Sequence, residues 1–388
     1  MTDTLGTSVE RLSPLHHEHL ALGAMMVPFA GWQMPLRYSS DLAEHLAVRG
    51  AAGIFDLSHM GEIRVAGGQA GAALDYALVG NLTAVRVGKA RYTMICAPDG
   101  GVLDDLVVYR TSEDSYLVVA NASNVAVVLS ELVARCAGFE VTVTDESAQT
   151  ALIAVQGPRA QEIVVPLVSP DDAVSVAELG YYTGLPATVG GVSALVARTG
   201  YTGEDGYELF VPSGSAPGLW RALLAAGAPL GLVPAGLSAR DSLRLEAGMP
   251  LYGNELDSTT TPYDAGLGRV VKLDKTADDG SPLAFVGREP LAARKRSEPA
   301  RLLVGLEGLG RRAARHGFGV VMSASKLDVV VGHVTSGAPS PTLGHPIAMA
   351  YVTPEVSAVG TELAVDVRGR AEPVRVVALP FYRRPQRA

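Results

Sequence analysis

An acidic residue interrupts a predicted buried strand in the segment RTGYTGEDGYELFVP, residues 198–212. After the glycine-rich turn, Leu209 and Val211 point to one face of the strand, and Glu208 and Phe210 point to the other. An ionised carboxylate that is buried without partners is strongly destabilising. Glu208 therefore lies on a solvated face or is reserved for a ligand, and the local pattern leaves both interpretations open.

The segment DGGVLDDLVVYR, residues 99–110, contains an aspartate pair in a similar setting. Its first three residues are typical of a hairpin turn. In the strand that follows, Asp104 shares one face with apolar side chains, while Asp105 shares the other with Val107 and Tyr109. Either both carboxylates are solvated near the start of the strand, or at least one of them is held for chemistry beside hydrophobic surface.

A third unusual position is Arg240 in the segment LSARDSLRLEAG, residues 237–248. Ser238 and Asp241 have the spacing of a capping box, which predicts a helix that begins at Ala239. The helix dipole disfavours a cation in the first turn. An arginine at this position binds an anion or forms a salt bridge with a nearby acid, and both alternatives fit the local sequence.

The sequence lacks the motifs of several common chemistries. It has no GxxxxGK[ST] phosphate loop, no strand–GxGxxG–helix fingerprint and no GxSxG nucleophile elbow. His16 and His19 could share a helix face, but no third ligand accompanies them, so we expect no metal site. Reactions that use a nucleoside triphosphate, a dinucleotide or an acyl-serine are therefore not expected.

The elements that must position these residues are short strands mixed with amphipathic helices. DLAEHLAVRGAAG and NVAVVLSELVARCAG have helical spacing, whereas RYTMICA, SYLVVAN and EVTVTD have the composition of strands. Beyond residue 270 the polar link DKTADDGSP is followed by short β runs such as RLLVGLEGL and ELAVDVRG. This order predicts an α+β body and an all-β C-terminal barrel or sandwich.

Composition limits the compartment in which the protein works and the ligands or partners that it binds. Of the 388 residues 48% are hydrophobic, yet no apolar run reaches the roughly 18–20 residues that span a bilayer. No secretory signal is visible, and two cysteines fit a reducing cytoplasm. The net charge is −8, but residues 281–388 carry 15 Lys and Arg against 8 Asp and Glu. We expect an anionic ligand or acidic partner near that basic third, or ordinary surface variation, and no nucleic acid.

Ten segments, spread along the chain from about residue 14 to the end, together carry a family resemblance. They are FAGWQMP (29–35), FDLSHMGE (55–62), GKARYTM (88–94), GGVLDDLVVY (100–109), VVANASN (118–124), AVQGP (154–158), TGYTGEDGYE (199–208), ARDSLRLEAGMPLYGNE (239–255), FVGRE (285–289) and TSGAPSPTLG (335–344). In this order and spacing they resemble the aminomethyltransferases (T-proteins) of the glycine cleavage system.

The resemblance implies a three-lobed cloverleaf of the α+β class, with a central folate channel and a C-terminal all-β barrel. We place a first, folate-binding α+β domain at residues 1–55 plus 150–270. A second α+β domain would cover residues 56–149, and the barrel domain residues 280–388.

The resemblance also implies an activity. Such enzymes transfer the methylene of the aminomethyl group on lipoylated H-protein to tetrahydrofolate, a co-substrate, in glycine catabolism. Ammonia, 5,10-methylenetetrahydrofolate and dihydrolipoyl H-protein are the products. Two alternatives are a folate-dependent demethylase and a folate-binding scaffold without transferase activity. The scaffold relatives carry a KGCYxGQE motif, which this sequence lacks.

Matched positions suggest roles for individual residues. Asp104 matches the family's catalytic aspartate and would lie near N10 of folate, and Glu208 matches the acid that binds the pterin. Arg240 matches a folate-site arginine, although the part of folate that it meets stays open. The further cofactor-binding candidates are Tyr92, Asn121, Met60 and Tyr207. The tail departs from the family pattern, so the resemblance leaves the role of Arg383 and Arg384 open.

Overall fold

The computed structural model describes residues 10–277, 280–323 and 326–385. Residues 1–9, 278–279, 324–325 and 386–388, which the predicted domains and the polar link include, lie outside the described residues. Across the described ranges no helix is long and apolar enough to cross a membrane. The helices are α1 (His16–Ala21), α2 (Asp41–Gly50), α3 (Ala70–Ala77), α4 (Val125–Cys136), α5 (Ala160–Val164), α6 (Pro170–Ala177), α7 (Ala216–Gly227), α8 (Leu237–Glu246) and α9 (Arg288–Arg296).

The strands form three sheets and a barrel. They are β1 (Arg11–Leu12), β2 (Met25–Phe29), β3 (Trp32–Arg37), β4 (Ala52–Asp56), β5 (Gly61–Ala66), β6 (Ala90–Cys96), β7 (Val102–Ser112), β8 (Ser115–Ala120), β9 (Thr142–Asp145), β10 (Thr150–Gln156), β11 (Gly184–Val189), β12 (Val192–Ala197), β13 (Gly206–Pro212), β14 (Leu232–Pro234), β15 (Leu302–Gly308), β16 (Gly319–Ser323), β17 (Lys326–Pro339), β18 (Pro346–Val352), β19 (Glu362–Asp366) and β20 (Ala371–Val377).

The first lobe is built on a six-stranded sheet with the order β11-β12-β13-β10-β4-β14. Strand β14 runs parallel to β4, and the other neighbours are antiparallel. Trp220 of α7 and Tyr207 of β13 are fully buried in the core of this lobe. A small sheet with the order β1-β3-β2 precedes it in the chain.

The second lobe is a five-stranded sheet with the order β6-β7-β8-β5-β9. Its core includes Ile63 of β5, Leu106 of β7 and Leu132 of α4. The chain passes from the first sheet to the second after β4 and returns at β10. The domain boundaries given above stay a prediction, but this excursion shows why the first sheet combines strands from two stretches of the chain.

The C-terminal lobe is a closed barrel with the order β15-β18-β17-β16-β19-β20. Apolar side chains such as Leu306, Val320 and Val365 fill its interior. The predicted α+β architecture with a C-terminal barrel is therefore confirmed, and the choice between barrel and sandwich is settled by the closed strand order.

Helix α8 begins two residues before the position that the capping box predicts, so that prediction is wrong. Its N-cap is Gly236, and no side chain caps the helix. A Cβ at Gly236 would lie 2.3 Å from the carbonyl oxygen of Leu36, so only glycine fits there. The Gly236 N–H donates to Glu44 at 2.9 Å, which satisfies one of the donors that a capping side chain would otherwise serve. Tertiary contact, and not the local sequence, sets the start of the helix.

A buried carboxylate joins α8 to the barrel and to α2. Glu246 is fully buried and accepts hydrogen bonds from Arg49 (2.8 Å), from the backbone and hydroxyl of Thr342 (3.1 and 2.7 Å) and from Ser340. The ring of His45 lies 3.1 Å away. Burial alone would raise the pKa of Glu246, but the hydrogen bonds from His45 and Ser340 outweigh it and lower the pKa to about 2.

We expect Glu246→Ala to lower the free energy of unfolding by about 3 kcal/mol, because several buried polar groups lose their shared partner. Chemical denaturation at pH 7 measures the change. The control is Glu362→Ala, which removes an exposed ion pair with Arg375 and should cost less than about 1 kcal/mol. Equal losses in the two variants would contradict the proposed role of Glu246 between the lobes.

Candidate active site

A cavity of about 330 Å³ lies between the two large sheets, and α8 and the segment after it close one side. Strands β6, β7 and β8 supply one wall, and β10, β13 and the turn before β13 supply the opposite wall. The lining residues that carry polar side chains are Tyr92, Asp105, Tyr109, Asn121, Tyr182, Thr199, Tyr201, Glu208 and Arg240. The remaining wall is mostly apolar, so these groups act in a largely dehydrated space.

Glu208 lies on the wall that β13 forms. Its neighbours on the flanking strands are Ala154 and Ala197, and their small side chains leave room beside the carboxylate. Oε2 accepts hydrogen bonds from Thr199 and from the Tyr109 hydroxyl at 3.3 Å. Burial raises the pKa of Glu208, and the Thr199 hydrogen bond opposes that change. Within the described residues no donor bonds Oε1, which remains able to accept from a ligand.

Arg240 reaches the same end of the cavity from the first turn of α8. Its guanidinium stacks over the ring of Tyr201, with 4.7 Å between the guanidinium carbon and the ring centroid. Burial lowers the pKa of Arg240 despite the opposing influence of Tyr201 and Glu208. Over residues 10–277, 280–323 and 326–385 its side chain donates no hydrogen bond to the protein. The guanidinium donors are therefore available to an acceptor in the cavity.

The structure places the two residues of the aspartate pair on different sides of β7. Asp105 lines the cavity, whereas Asp104 points to the other face of β7 and is not part of the lining. Asp104 is fully buried and is bonded to the backbone and side chain of Asn121 (both 2.9 Å) and to Asn124 (2.7 Å). The alternation of the strand separates the two carboxylates, so the acid that can touch a ligand is Asp105 and not Asp104.

Asp105 is hydrogen-bonded on both oxygens. The Tyr92 hydroxyl donates to Oδ2 at 2.9 Å, and the Asn121 amide donates to Oδ1 at 2.8 Å. Burial raises the pKa of Asp105 to about 6, although the hydrogen bonds from Tyr92 and Asn121 stabilise the ionised form. Near neutral pH this carboxyl is therefore close to its point of titration, which is typical of an acid–base group.

The structure brings together five of the seven predicted site residues and leaves two outside. The five are Met60, Tyr92, Asn121, Glu208 and Arg240. Besides Asp104, the second residue outside is Tyr207, which is fully buried in the core on the other face of β13. Its hydroxyl donates to the carbonyl of Val176 at 3.4 Å. Tyr207 therefore does not line the cavity.

Three tyrosines on the walls were missed. Tyr109 shares a face of β7 with Asp105, and Tyr201 belongs to the glycine-rich segment that also holds Glu208, so both signals were present in the sequence. Tyr182 had no such signal. It has a positive φ of 59°, which is unusual for a bulky residue, and its position depends on the fold.

The remaining charged candidates lie elsewhere. Arg384 lies 3.5 Å from Asp205 and does not line the cavity. His19, a member of the HHEH run, is bonded to Asp56 at 2.8 Å. In the described part of the chain no group of three or more His, Cys, Asp or Glu side chains could hold a metal ion.

Family models match both parts of the chain. The GCVT N-terminal domain matches residues 15–275, and the glycine cleavage T-protein C-terminal barrel domain matches residues 301–383. The aminomethyltransferase of Saccharopolyspora erythraea is 59% identical over 377 residues, which cover 97% of this chain and 99% of the relative. The aminomethyltransferase of Streptomyces avermitilis is 58% identical over 384 residues, which cover 98% of this chain and all (100%) of the relative.

A solved structure has the same architecture. The glycine cleavage system aminomethyltransferase T from Bartonella henselae superposes with a TM-score of 0.85 at 34% sequence identity. The match covers 96% of this chain and 98% of the other. Similarity therefore extends over all three lobes and both walls of the cavity.

We expect Thr199→Val to destabilise the protein more at pH 8 than at pH 5. The substitution removes a donor to Glu208, so the pKa of Glu208 rises further. When folding raises the pKa of a carboxyl, the carboxyl ionises at a lower pH in the unfolded chain than in the folded protein. The folded protein therefore loses stability as the pH rises. The free energy of unfolding should fall by about 1–2 kcal/mol at pH 8 and by less at pH 5.

Chemical denaturation at the two pH values makes this comparison. Thr142→Val changes an exposed threonine on β9 and should show no such dependence on pH. A loss that is the same at pH 5 and pH 8 in Thr199→Val would show that the hydroxyl does not stabilise the ionised carboxylate.

Proposed function

The chain belongs to the glycine cleavage T-protein family of aminomethyltransferases, and we propose that it transfers a methylene group from aminomethylated lipoyl H-protein to tetrahydrofolate. The observation that carries this proposal is a single cavity with a carboxylate at each end. Tyr109, which donates a hydrogen bond to Glu208, lies four residues from Asp105 on the same face of β7. Four residues of a strand span about 13 Å, so the two carboxylates are well separated within the cavity.

The Glu208 end suits the pterin ring. A pterin presents an amino group and a ring N–H side by side, and a carboxylate can accept both hydrogen bonds. Glu208 has an oxygen without a donor in the described chain, and Ala154 and Ala197 leave space next to it. Arg240 supplies unused donors at the same end. These residues fit the polar edge of the ring.

The Asp105 end suits the reacting atoms. In the overall reaction the C–S bond and the C–N bond of the aminomethyl group both break, and its carbon becomes bonded to N5 and N10 of tetrahydrofolate. The protons of the two folate amines go to the lipoyl sulfur and to the departing ammonia, so no further reactant is needed. The ionised Asp105 would stabilise positive charge near the carbon and accept a proton from the attacking amine. Tyr92 and Asn121 would hold the carboxylate in place.

The enclosed position of the cavity supports the same role. A positively charged methylene–nitrogen species reacts with water, so the transfer needs a dry site. Apolar side chains such as Leu57, Val119 and Leu152 form much of the wall. Positioning of the folate amines and exclusion of water would supply most of the rate enhancement.

The partner and the compartment are also proposals. We propose that acidic groups of H-protein bind basic groups of this chain. Lys295 and Arg296, at the exposed end of α9, would take part in this contact. Arg294 is already bound to Asp264, so it has less to offer a partner. Cys96 and Cys136 are both free and buried, which is in keeping with work in the cytoplasm.

Turnover of aminomethylated H-protein, measured with and without tetrahydrofolate, tests the proposed function. We expect ammonia release to depend on tetrahydrofolate, with one 5,10-methylenetetrahydrofolate formed per ammonia. Release that ignores folate, or no release, would reject the assignment of this reaction to the chain.

Two variants should separate the ends of the cavity. We expect Asp105→Asn to reduce kcat by about 100-fold or more, with the Kd for tetrahydrofolate changed less than about threefold. Glu208→Gln should raise that Kd by about tenfold or more, since a charge-assisted pair of hydrogen bonds is lost. Calorimetry and steady-state kinetics measure both constants. The control is Asp114→Asn, on an exposed turn of the same β7–β8 hairpin. The roles would be wrong if Asp105→Asn kept normal turnover.

The rate should fall as the pH drops through about 6, because protonation of Asp105 removes the charge that the transfer needs. Tyr92→Phe removes a hydrogen bond to the ionised form, so the pKa of Asp105 rises and the fall should begin about 0.7 pH unit higher. The pH profile of kcat/KM measures this shift, with the partly exposed Tyr76→Phe as control. A shift to lower pH would contradict the assignment.

A further inference from the structure

Asp104 is a buried acid for which the proposed reaction has no direct use. It is 0% exposed, and its carboxylate accepts three hydrogen bonds in the described chain. Two come from the backbone and amide of Asn121, and the third comes from the Asn124 amide at the start of α4. A buried carboxylate with three donors is strongly fixed, and its three bonds tie β7 to the turn between β8 and α4.

Asn121 connects this hidden acid to the cavity. Its amide nitrogen lies 2.9 Å from Oδ1 of Asp104, 2.8 Å from Oδ1 of Asp105 and 3.1 Å from the carbonyl oxygen of Asp105. One amide group therefore bridges both carboxylates. Since it contacts both, the two oxygens lie within about 6 Å of each other. At that separation two negative charges oppose each other's ionisation.

Four tyrosines and Glu255 also lie near Asp105. Burial raises the pKa values of the four neighbouring tyrosines, which therefore stay protonated; they are Tyr92, Tyr182, Tyr201 and Tyr252. Glu255, the remaining acid that faces Asp105, is paired with Arg244 at 2.9 Å. Among the described groups, Asp104 therefore remains as the acid whose change of charge can act on Asp105. Burial, and then the charge of Asp105, raise the pKa of Asp104 to about 7.

We propose that Asp104 is a positioning residue that anchors Asn121 behind the cavity wall and, through its own charge, controls the protonation of Asp105. Asp104 and Asp105 then share one proton over the neutral range. The Asn121 amide, which contacts both, couples the protonation of Asp104 to that of Asp105 in the cavity. Asp104 does not touch the substrate. The inference rests on the proposed function, because Asp105 is the group whose charge the transfer would use.

The variant Asp104→Asn tests the inference. It keeps the size of the side chain and removes the charge, so Asp105 should ionise more easily. We expect the acid limb of the pH profile of kcat/KM to move down by about one pH unit. At pH 8 kcat should fall about threefold or more as Asn121 loses part of its anchor, with KM nearly unchanged. Asp104→Glu keeps the charge and should keep the acid limb of the wild type.

Asp114→Asn is the matched control, since it makes the same change at an exposed position of the same hairpin. Its acid limb should coincide with that of the wild type. An acid limb in Asp104→Asn that also coincides with the wild type would overturn the proposal, even if the rate fell, because a purely structural role predicts a loss of rate without a shift.

If Asp104→Asn does not fold, a direct titration of the wild-type protein tests the coupling of Asp104 and Asp105. In wild-type protein labelled with ¹³C at the aspartate carboxyls, two resonances should titrate together, both above the usual range for aspartate. Independent titration of Asp104 and Asp105, each at about 4, would refute the inference. This measurement needs no turnover. Failure of folate-dependent ammonia release would therefore reject the proposed function alone, and an uncoupled titration would reject the role of Asp104 alone.

Discussion

The site depends on one constraint, which is that carboxylates buried between two sheets need hydrogen-bond donors in place of water. Each ionised acid must be given donors, and the chain supplies them from distant segments: Thr199 and Tyr109 for Glu208, Tyr92 and Asn121 for Asp105. The hydrogen bonds do not cancel the effect of burial, since both acids keep raised pKa values. That incomplete compensation leaves each carboxylate ready to gain from a bound partner.

The route of the chain meets this constraint, since the first sheet is built from two stretches of the chain. Strand β4 belongs to the first sheet, and β5 begins the second only a few residues later. The chain thus crosses between the sheets at the cavity, where Leu57 and Met60 line the wall. A short crossing holds the two sheets close together, so donors on β7 can reach an acid on β13.

Much of the fold could be predicted from the sequence, but the orientation of adjacent residues could not. Alternation correctly put Asp104 and Asp105 on opposite faces of β7. It could not tell which face meets the cavity, because both faces are apolar and both are covered. The family match points to Asp104, but Asp105 is the residue of the pair that lines the cavity, and Tyr207 lies outside the cavity beside Glu208 in the same way. A register of one residue is decided by sheet packing, which a motif does not contain.

Helix α8 shows a related limit and how the lobes depend on one another. Its first turn carries Arg240 to the cavity, and its last residue, Glu246, is fixed by groups from α2 and from the barrel. The local sequence predicts a different start because the close approach of Gly236 to Leu36 is a tertiary contact. No described residue of the barrel lines the cavity, yet the barrel fixes the far end of the helix that delivers the arginine. A change at that interface can therefore alter the site without touching it.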